Sequence, residues 1–232
     1  MNRKGTKIGI FVLASMAVLA LLIIGSTPVN ANDASEAQGI VDKAKITLDA
    51  FMRDKDYSWI HENLKNANGI LIYPQILKAG FILGGSGGTG VFLTKDQKGG
   101  DWSQPAFYTV GAVSFGLQIG GESAETVILA MTPKAVDSLY TSSAKLGGDT
   151  SFAVGPVGAG AKSNVMADFI AFSMSKGAYV GLNLEGSVVK VRDSLNTAYY
   201  DKEVSPVQII AQKKVSNKGS SELRSALKTA AK

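Results

Sequence analysis

Cysteine is absent from the 232-residue chain, and histidine occurs once, as His61. The first absence excludes a thiol nucleophile, a disulfide framework, cysteine-ligated zinc and iron–sulfur clusters. The second leaves imidazole chemistry a single candidate, beside Ile60, with no nucleophile or second ligand spaced to meet it. Charge is also scarce on the body of the chain. Of the net +5, residues 1–31 hold three bases and no acid, residues 32–186 are slightly acidic, and residues 187–232 hold nine bases against four acids. A nucleic-acid binder carries its cations as a stripe on the folded body, so nucleic acid is excluded as a partner.

A charge-free run, residues 8–25 (IGIFVLASMAVLALLIIG), follows Arg3, Lys4 and Lys7, and precedes Pro28 and Val29-Asn30-Ala31. Basic head, apolar core and small residues at the end form the layout of a secretory signal, with cleavage expected after Ala31. An uncleaved membrane anchor is the alternative, since 18 apolar residues also suffice for one span. Either way the body is expected outside the cytoplasm, periplasmic or associated with the cell envelope.

Residues 34–67 read as a helical lead-in. Ala37, Ile40, Val41, Ala44, Leu48 and Phe51 recur at spacings of three and four, and a shorter helix near 57–67 carries Ile60 and Leu64 and is expected to end at Asn68-Gly69. From Gly80 to Gly186 the character changes, because 20 of the 26 glycines fall there. Helix is disfavoured by such a density, and alternation over 106–120 and 176–192, with strand candidates at 125–131, 150–162 and 164–174, predicts strands. Thr132-Pro133 opens a short helix to about Tyr140. The sum is an α+β domain over residues 32–232: a Gly-rich, mostly antiparallel, curled and barrel-like sheet of six or more strands within 69–192, flanked by N-terminal and basic C-terminal helices, the latter over 193–232. Glycine inside strands points to bends or close backbone approach, so Gly84 and Gly87 are expected to be structural.

Motifs for catalysis are thin. Gly85-Ser-Gly87-Gly-Thr-Gly90 spells G-x-G-x-x-G, but a strand (Val91–Thr94) follows where a dinucleotide site needs a helix. Asp101, Glu122, Glu125, Asp149, Asp168 and Glu185 show no metal-ligand spacing, and Ser114 sits in no nucleophile elbow. No enzyme, cofactor or metal is expected.

Seven ordered segments carry a resemblance: GILIYP (69–74), KAGF (78–81), WSQPAFY (102–108), SFGLQ (114–118), LGGD (146–149), AVGPVG (153–158) and KGAYVGLNLEG (176–186), with Tyr199-Tyr200 and Val204-Ser-Pro206 closing the chain. In order and spacing this sequence resembles the SYLF lipid-binding domain family from about Glu36 to the end. The resemblance implies a non-enzymatic module that binds phospholipid, phosphoinositides being the usual ligand of eukaryotic relatives, some of which also associate with actin. The chain departs from those relatives in its signal-like leader and in carrying no Src-homology-3 segment. It therefore looks like an exported bacterial form, for which phosphatidylglycerol and cardiolipin are the lipids on offer and actin is not an expected partner.

The cations that would meet an anionic lipid surface are Lys213, Lys214, Lys218, Arg224, Lys228 and Lys232. On a helix from about Ser221, Leu223, Ala226, Leu227 and Ala230 form an apolar stripe, while Arg224, Lys228 and Lys232 run down its flank. This is the pattern of an interfacial helix, and equally of a terminal helix docked on the body with its cations in water. Lys78 and Lys176, beside Phe81 and Tyr179 in the glycine-spaced segments, are the second candidate surface. An envelope interaction module and a carrier of an apolar ligand are the competing functions. The oligomeric state is not legible.

Overall fold

The computed structural model describes residues 31–80, 83–96, 100–115, 120–158, 160, 165–176 and 184–232. The leader, Phe81 and Tyr179 lie outside these residues. The lead-in is a helix, α1 (Ala31–Arg53), followed by a single 3-10 turn (Lys55–Tyr57), α2 (Ser58–Asn63) and a second 3-10 turn (Leu64–Asn66). The apolar stripe of α1 is the face it buries: Ala37, Val41, Ala44, Leu48 and Phe51 are all inaccessible to solvent. His61 is held at Phe51, its Nε2 lying 2.9 Å from the carbonyl oxygen. Asn68-Gly69 does not act as a left-handed helix end. The Asn68 amide donates to the Ala130 carbonyl and Gly69 opens the first strand.

Eight strands form one curled, half-barrel sheet in the order β5-β8-β3-β2-β1-β4-β7-β6. They are β1 (Gly69–Gly80), β2 (Leu83–Thr94), β3 (Ala106–Phe115), β4 (Gly120–Ala130), β5 (Ser143–Lys145), β6 (Phe152–Val154), β7 (Phe169–Lys176) and β8 (Val188–Val191). All pairings are antiparallel except β6 with β7. Thr132 caps α3 (Pro133–Ser138) by accepting from the Ala135 amide, with Pro133 in the first turn. Of the strand expected over 150–162, β6 is the part observed, ended by Gly155-Pro156, with 159 and 161–162 outside the described residues; of that over 176–192, residues 177–183 lie outside them, Lys176 closes β7, and β8 follows a turn at Glu185-Gly186 with positive φ at Gly186.

Both faces of the sheet's proximal half are covered. Ile70, Ile72, Val91, Leu93, Phe107, Val127, Leu129, Ile170 and Phe172 pack with α1 and α2. Leu71, Tyr73, Phe92, Tyr108, Val110, Ile128, Phe169 and Ala171 pack on the other side with Leu139, Ile209 and Ile210. Over Ala106–Val110 both faces of β3 are therefore buried, Tyr108 and Val110 as fully as Phe107.

Glycine has a local cause. Pro74 has no amide to give the ladder, and β1 is an interior strand, so it is accommodated by a bulge: register shifts between Ile72 and Leu77 against β2 and between Tyr73 and Ile76 against β4. The bulge pushes carbonyls toward β2. A Cβ on Gly88 would lie 2.2 Å from the Gln75 oxygen, and one on Gly90 2.2 Å from the Ile72 oxygen, whereas one on Gly87 meets only the Val110 oxygen at 3.5 Å. Close approach is thus required at Gly88 and Gly90, not at Gly87, and Gly84 lies among side positions outside the description. The whole G-x-G-x-x-G run is strand β2, without a helix after it.

The C-terminal segment holds α4 (Asp193–Tyr200), a π-helical turn (Val207–Ala211), a 3-10 turn (Lys218–Ser220) and α5 (Ser221–Ala230). Leu223 and Leu227 of α5 are fully buried against the α1 side of the core. Of the two arrangements the sequence allows for this helix, the docked one is observed, and its leucines are not available to a bilayer.

Candidate functional site

The basic tail is fastened to the connection between β2 and β3. Gln104 accepts from the Asn217 amide at 3.2 Å and from the Ser220 hydroxyl at 2.9 Å, and the Tyr200 hydroxyl donates to the Pro105 carbonyl at 2.6 Å. Asn217 in turn donates through Nδ2 to the Tyr199 carbonyl and accepts from the Gly219 amide, which starts the turn leading into α5. These contacts set three of the predicted cations against that connection. Lys213 pairs with Asp96 at 3.0 Å, Lys228 with Asp101 at 2.5 Å, and the Arg224 Nε–H donates to the Trp102 carbonyl at 2.8 Å. The Lys228 ammonium beside Asp101 holds that carboxyl below the usual carboxylate range, with Arg224 adding in the same direction. Both ion pairs are solvent-exposed, where such pairs contribute little to stability.

Lys214, Lys218 and Lys232 are exposed on the same segment, as is Lys202. The tail therefore has two kinds of cation: Lys213, Arg224 and Lys228, engaged by the body, and Lys214, Lys218, Lys202 and Lys232, facing solvent. Sequence reasoning grouped them because it had no means of pairing Lys213 with an acid 117 residues away or Lys228 with one 127 residues away.

Lys78 and Lys176 do not join this cluster. Lys78 pairs in register with Ser86 and Glu122, and Lys176 with Ser123. Thr94, next to the tail, pairs with Gly69 at the opposite end of β1 from Lys78. Nine residues of strand separate the two ends, about 30 Å. The predicted sheet surface and the predicted tail are two places, not one.

Among the described residues no group of three or more His, Asp or Glu side chains is placed to hold a metal, and no helix is long and apolar enough to cross a membrane. Glu122 and Glu125 engage Ser175 and Thr47 respectively, on different faces of β4. Asp168 is a structural tie. It accepts from the Thr132 hydroxyl at 2.6 Å and from the Ser151 amide and hydroxyl at 2.8 and 2.9 Å, and these bonds hold its carboxyl below the usual range.

Such an architecture, a half-barrel sheet with a docked, cation-bearing tail, defines a compact α+β module whose distinguishing surface is charge. The family follows from comparison. Residues 111–230 match the Ysc84 family, described as Las17-binding protein actin regulator, and the chain belongs to that family, in agreement with the SYLF resemblance. It is 34% identical over 155 residues to SH3 domain-containing protein PJ696.02 of Schizosaccharomyces pombe, covering 64% of this chain and 36% of that protein. It is 33% identical over 155 residues to LAS seventeen-binding protein 3 of Saccharomyces cerevisiae, covering 64% and 33%. Over 152 residues it is 29% identical to SH3 domain-containing YSC84-like protein 1 of Rattus norvegicus, covering 63% and 44%. The chain thus spans between a third and just under half of the length of these relatives. No solved structure matches it. A family described as an actin regulator gives no support to the expectation that actin is not a partner.

Proposed function

We propose that this chain is a non-catalytic module that associates peripherally with anionic phospholipid, in an exported, envelope-facing setting. The observation that carries the reading is the tail: Lys202, Lys214, Lys218 and Lys232 are exposed while Leu223 and Leu227 of α5 lie in the core. Attraction of the tail to a membrane is then electrostatic and superficial, since α5 keeps its leucines in the core. Co-sedimentation of the mature chain with vesicles of phosphatidylcholine alone and with added phosphatidylglycerol tests it. Binding is expected only with the anionic lipid, and equal binding to both would overturn the reading.

A second reading is favoured by the family's description and by relatives named for binding LAS seventeen: an interaction module for a partner of the actin machinery. Sedimentation of the chain with filamentous actin, at salt concentrations that abolish nonspecific ion pairing, separates it from the first.

A further inference from the structure

We infer that the groove between α1 and α5 is an interface between two copies of this chain, paired through α5 about a two-fold axis. The Gln38 side chain on α1 donates to the Gly219 carbonyl, just before α5, at 3.1 Å, and the two helices line one groove of about 540 Å³. Leu223 and Leu227 are spent on the core, so the groove takes the face of α5 that the core leaves. Its buried and half-buried lining is Leu48 and Met52 of α1 with Ala226 and Ala230 of α5, and Ser225 and Thr229 stand exposed beside them.

Charge says what the groove takes. Its charged lining is Lys45, Asp49 and Glu222, one cation against two anions. Lys45 and Asp49 pair with each other at 2.8 Å. Glu222 acts on the Lys45 ammonium in the same direction as Asp49, but it has no hydrogen bond or ion pair of its own among the described residues. The lining is therefore left one negative charge in surplus, and an occupant that brings a cation to Glu222 matches it.

The same helix carries that cation in the matching place. Glu222, Ser225, Thr229 and, just past the helix end, Lys232 follow one another at spacings of three and four, and all four are exposed. The stripe is symmetric about Leu227: Ser225 and Thr229 lie two residues to either side of it, Glu222 and Lys232 five. Two copies of α5 laid antiparallel, with the axis at that level, set Glu222 against the partner's Lys232 and Ser225 against the partner's Thr229, each pair occurring twice. A parallel pairing sets like charges together at both ends, so charge selects the antiparallel one. Between the ends, serine, alanine and threonine let two helix axes come close, because the side chains at a contact set the interaxial distance. A foreign helix would have to supply its own cation, whereas a second copy supplies it from the stripe that needs it. The inference does not rest on the membrane reading above.

Sedimentation equilibrium of the full chain, with its apolar leader held in density-matched detergent, measures the association. For so small an interface a reversible dimer with Kd on the order of 10–100 µM is expected. Ser225→Arg, at an exposed position, should weaken it by about tenfold or more without lowering the melting temperature. Glu222→Lys and Lys232→Glu should each weaken it severalfold, and the two together in one chain should restore it, since the pairs are then reversed but still matched. Orientation is read by disulfide trapping, which a chain with no native cysteine allows. When Ser225→Cys and Thr229→Cys chains are mixed and oxidised, mass spectrometry should find the mixed disulfide in clear excess over the two homodimers together. A monomer at every concentration up to about 1 mM, a dimer indifferent to Ser225→Arg, single charge reversals without effect, or homodimeric disulfides in excess would each overturn the interface. A monomer in which the Ser225→Cys thiol is nonetheless shielded from a thiol reagent would assign the groove to another segment or partner and overturn the second copy as its occupant.

Discussion

At the scale of single residues, the glycines of β2 separate into two groups by what stands opposite them. Gly88 and Gly90 face carbonyls thrust forward by the Pro74 bulge, so a side chain at either forces backbone to move. Alanine there is expected to cost about 3 kcal/mol, the upper range for overpacking, whereas Gly87→Ala should cost well under half as much. Thermal or urea unfolding of the three variants decides it, and equal losses would mean that the bulge is not what demands glycine. Asp168 offers a second test. Its carboxylate ties the start of α3 to the β6–β7 connection through Thr132 and Ser151, and its pKa is depressed by those bonds. A depressed folded pKa contributes stability that is present above the unfolded value of about 3.9 and is lost as pH falls through the lower folded value. Asp168→Asn should therefore destabilise by about 1–3 kcal/mol at neutral pH. The gap between parent and variant should close below pH 4, which denaturation midpoints across pH 2–7 will show.

At the scale of elements, α5 is where a surface pattern and a packing pattern coincide. The same leucines that give it an amphipathic profile are buried against α1, so Leu227→Ala is expected to cost about 2–5 kcal/mol, the usual loss for a core leucine. Lys228→Gln, which removes only an exposed pair with Asp101, should leave the melting temperature nearly unchanged. Were Leu227 a membrane-inserting residue instead, its replacement would leave the melting temperature unchanged. The stripe of α1, the cap at Thr132 and the strand character of the glycine run were legible because each depends on neighbours within a few positions. The double-sided cover of the sheet was not. Ile70-Leu-Ile-Tyr73 is a continuous apolar run, and only the tertiary structure, with α1 on one side and the π-helical turn on the other, tells why both parities are apolar. Likewise the tail's lysines were readable as a basic cluster, but not the acids that engage two of them. Asp96 and Asp101 come from a connection distant in sequence, and nothing local shows that the Trp102 carbonyl accepts from Arg224.

At the scale of the whole molecule, the proposed membrane association predicts from the charge distribution that the tail is the end to meet an anionic surface. Residues 187–232 carry the surplus, while residues 32–186 are slightly acidic and would be repelled. On that proposal orientation is expected to follow electrostatics, with each lysine near such a surface contributing about 1 kcal/mol, fading within about 8–10 Å at moderate salt. Lys213 and Lys228 are discounted because Asp96 and Asp101 neutralise them. The full effect is therefore expected from the solvent-facing group. Replacing Lys214, Lys218 and Lys232 together by Gln should remove about 3 kcal/mol, on the order of a hundredfold in affinity for phosphatidylglycerol vesicles, with the melting temperature unchanged. Replacing Lys213 and Lys228 instead should change vesicle affinity far less, since each removal releases a carboxylate. Binding of the parent should weaken steadily between low and moderate salt. If the first triple variant sediments as well as the parent, or if salt has no effect, the tail does not meet the membrane, and the interaction reading suggested by the family's description takes its place.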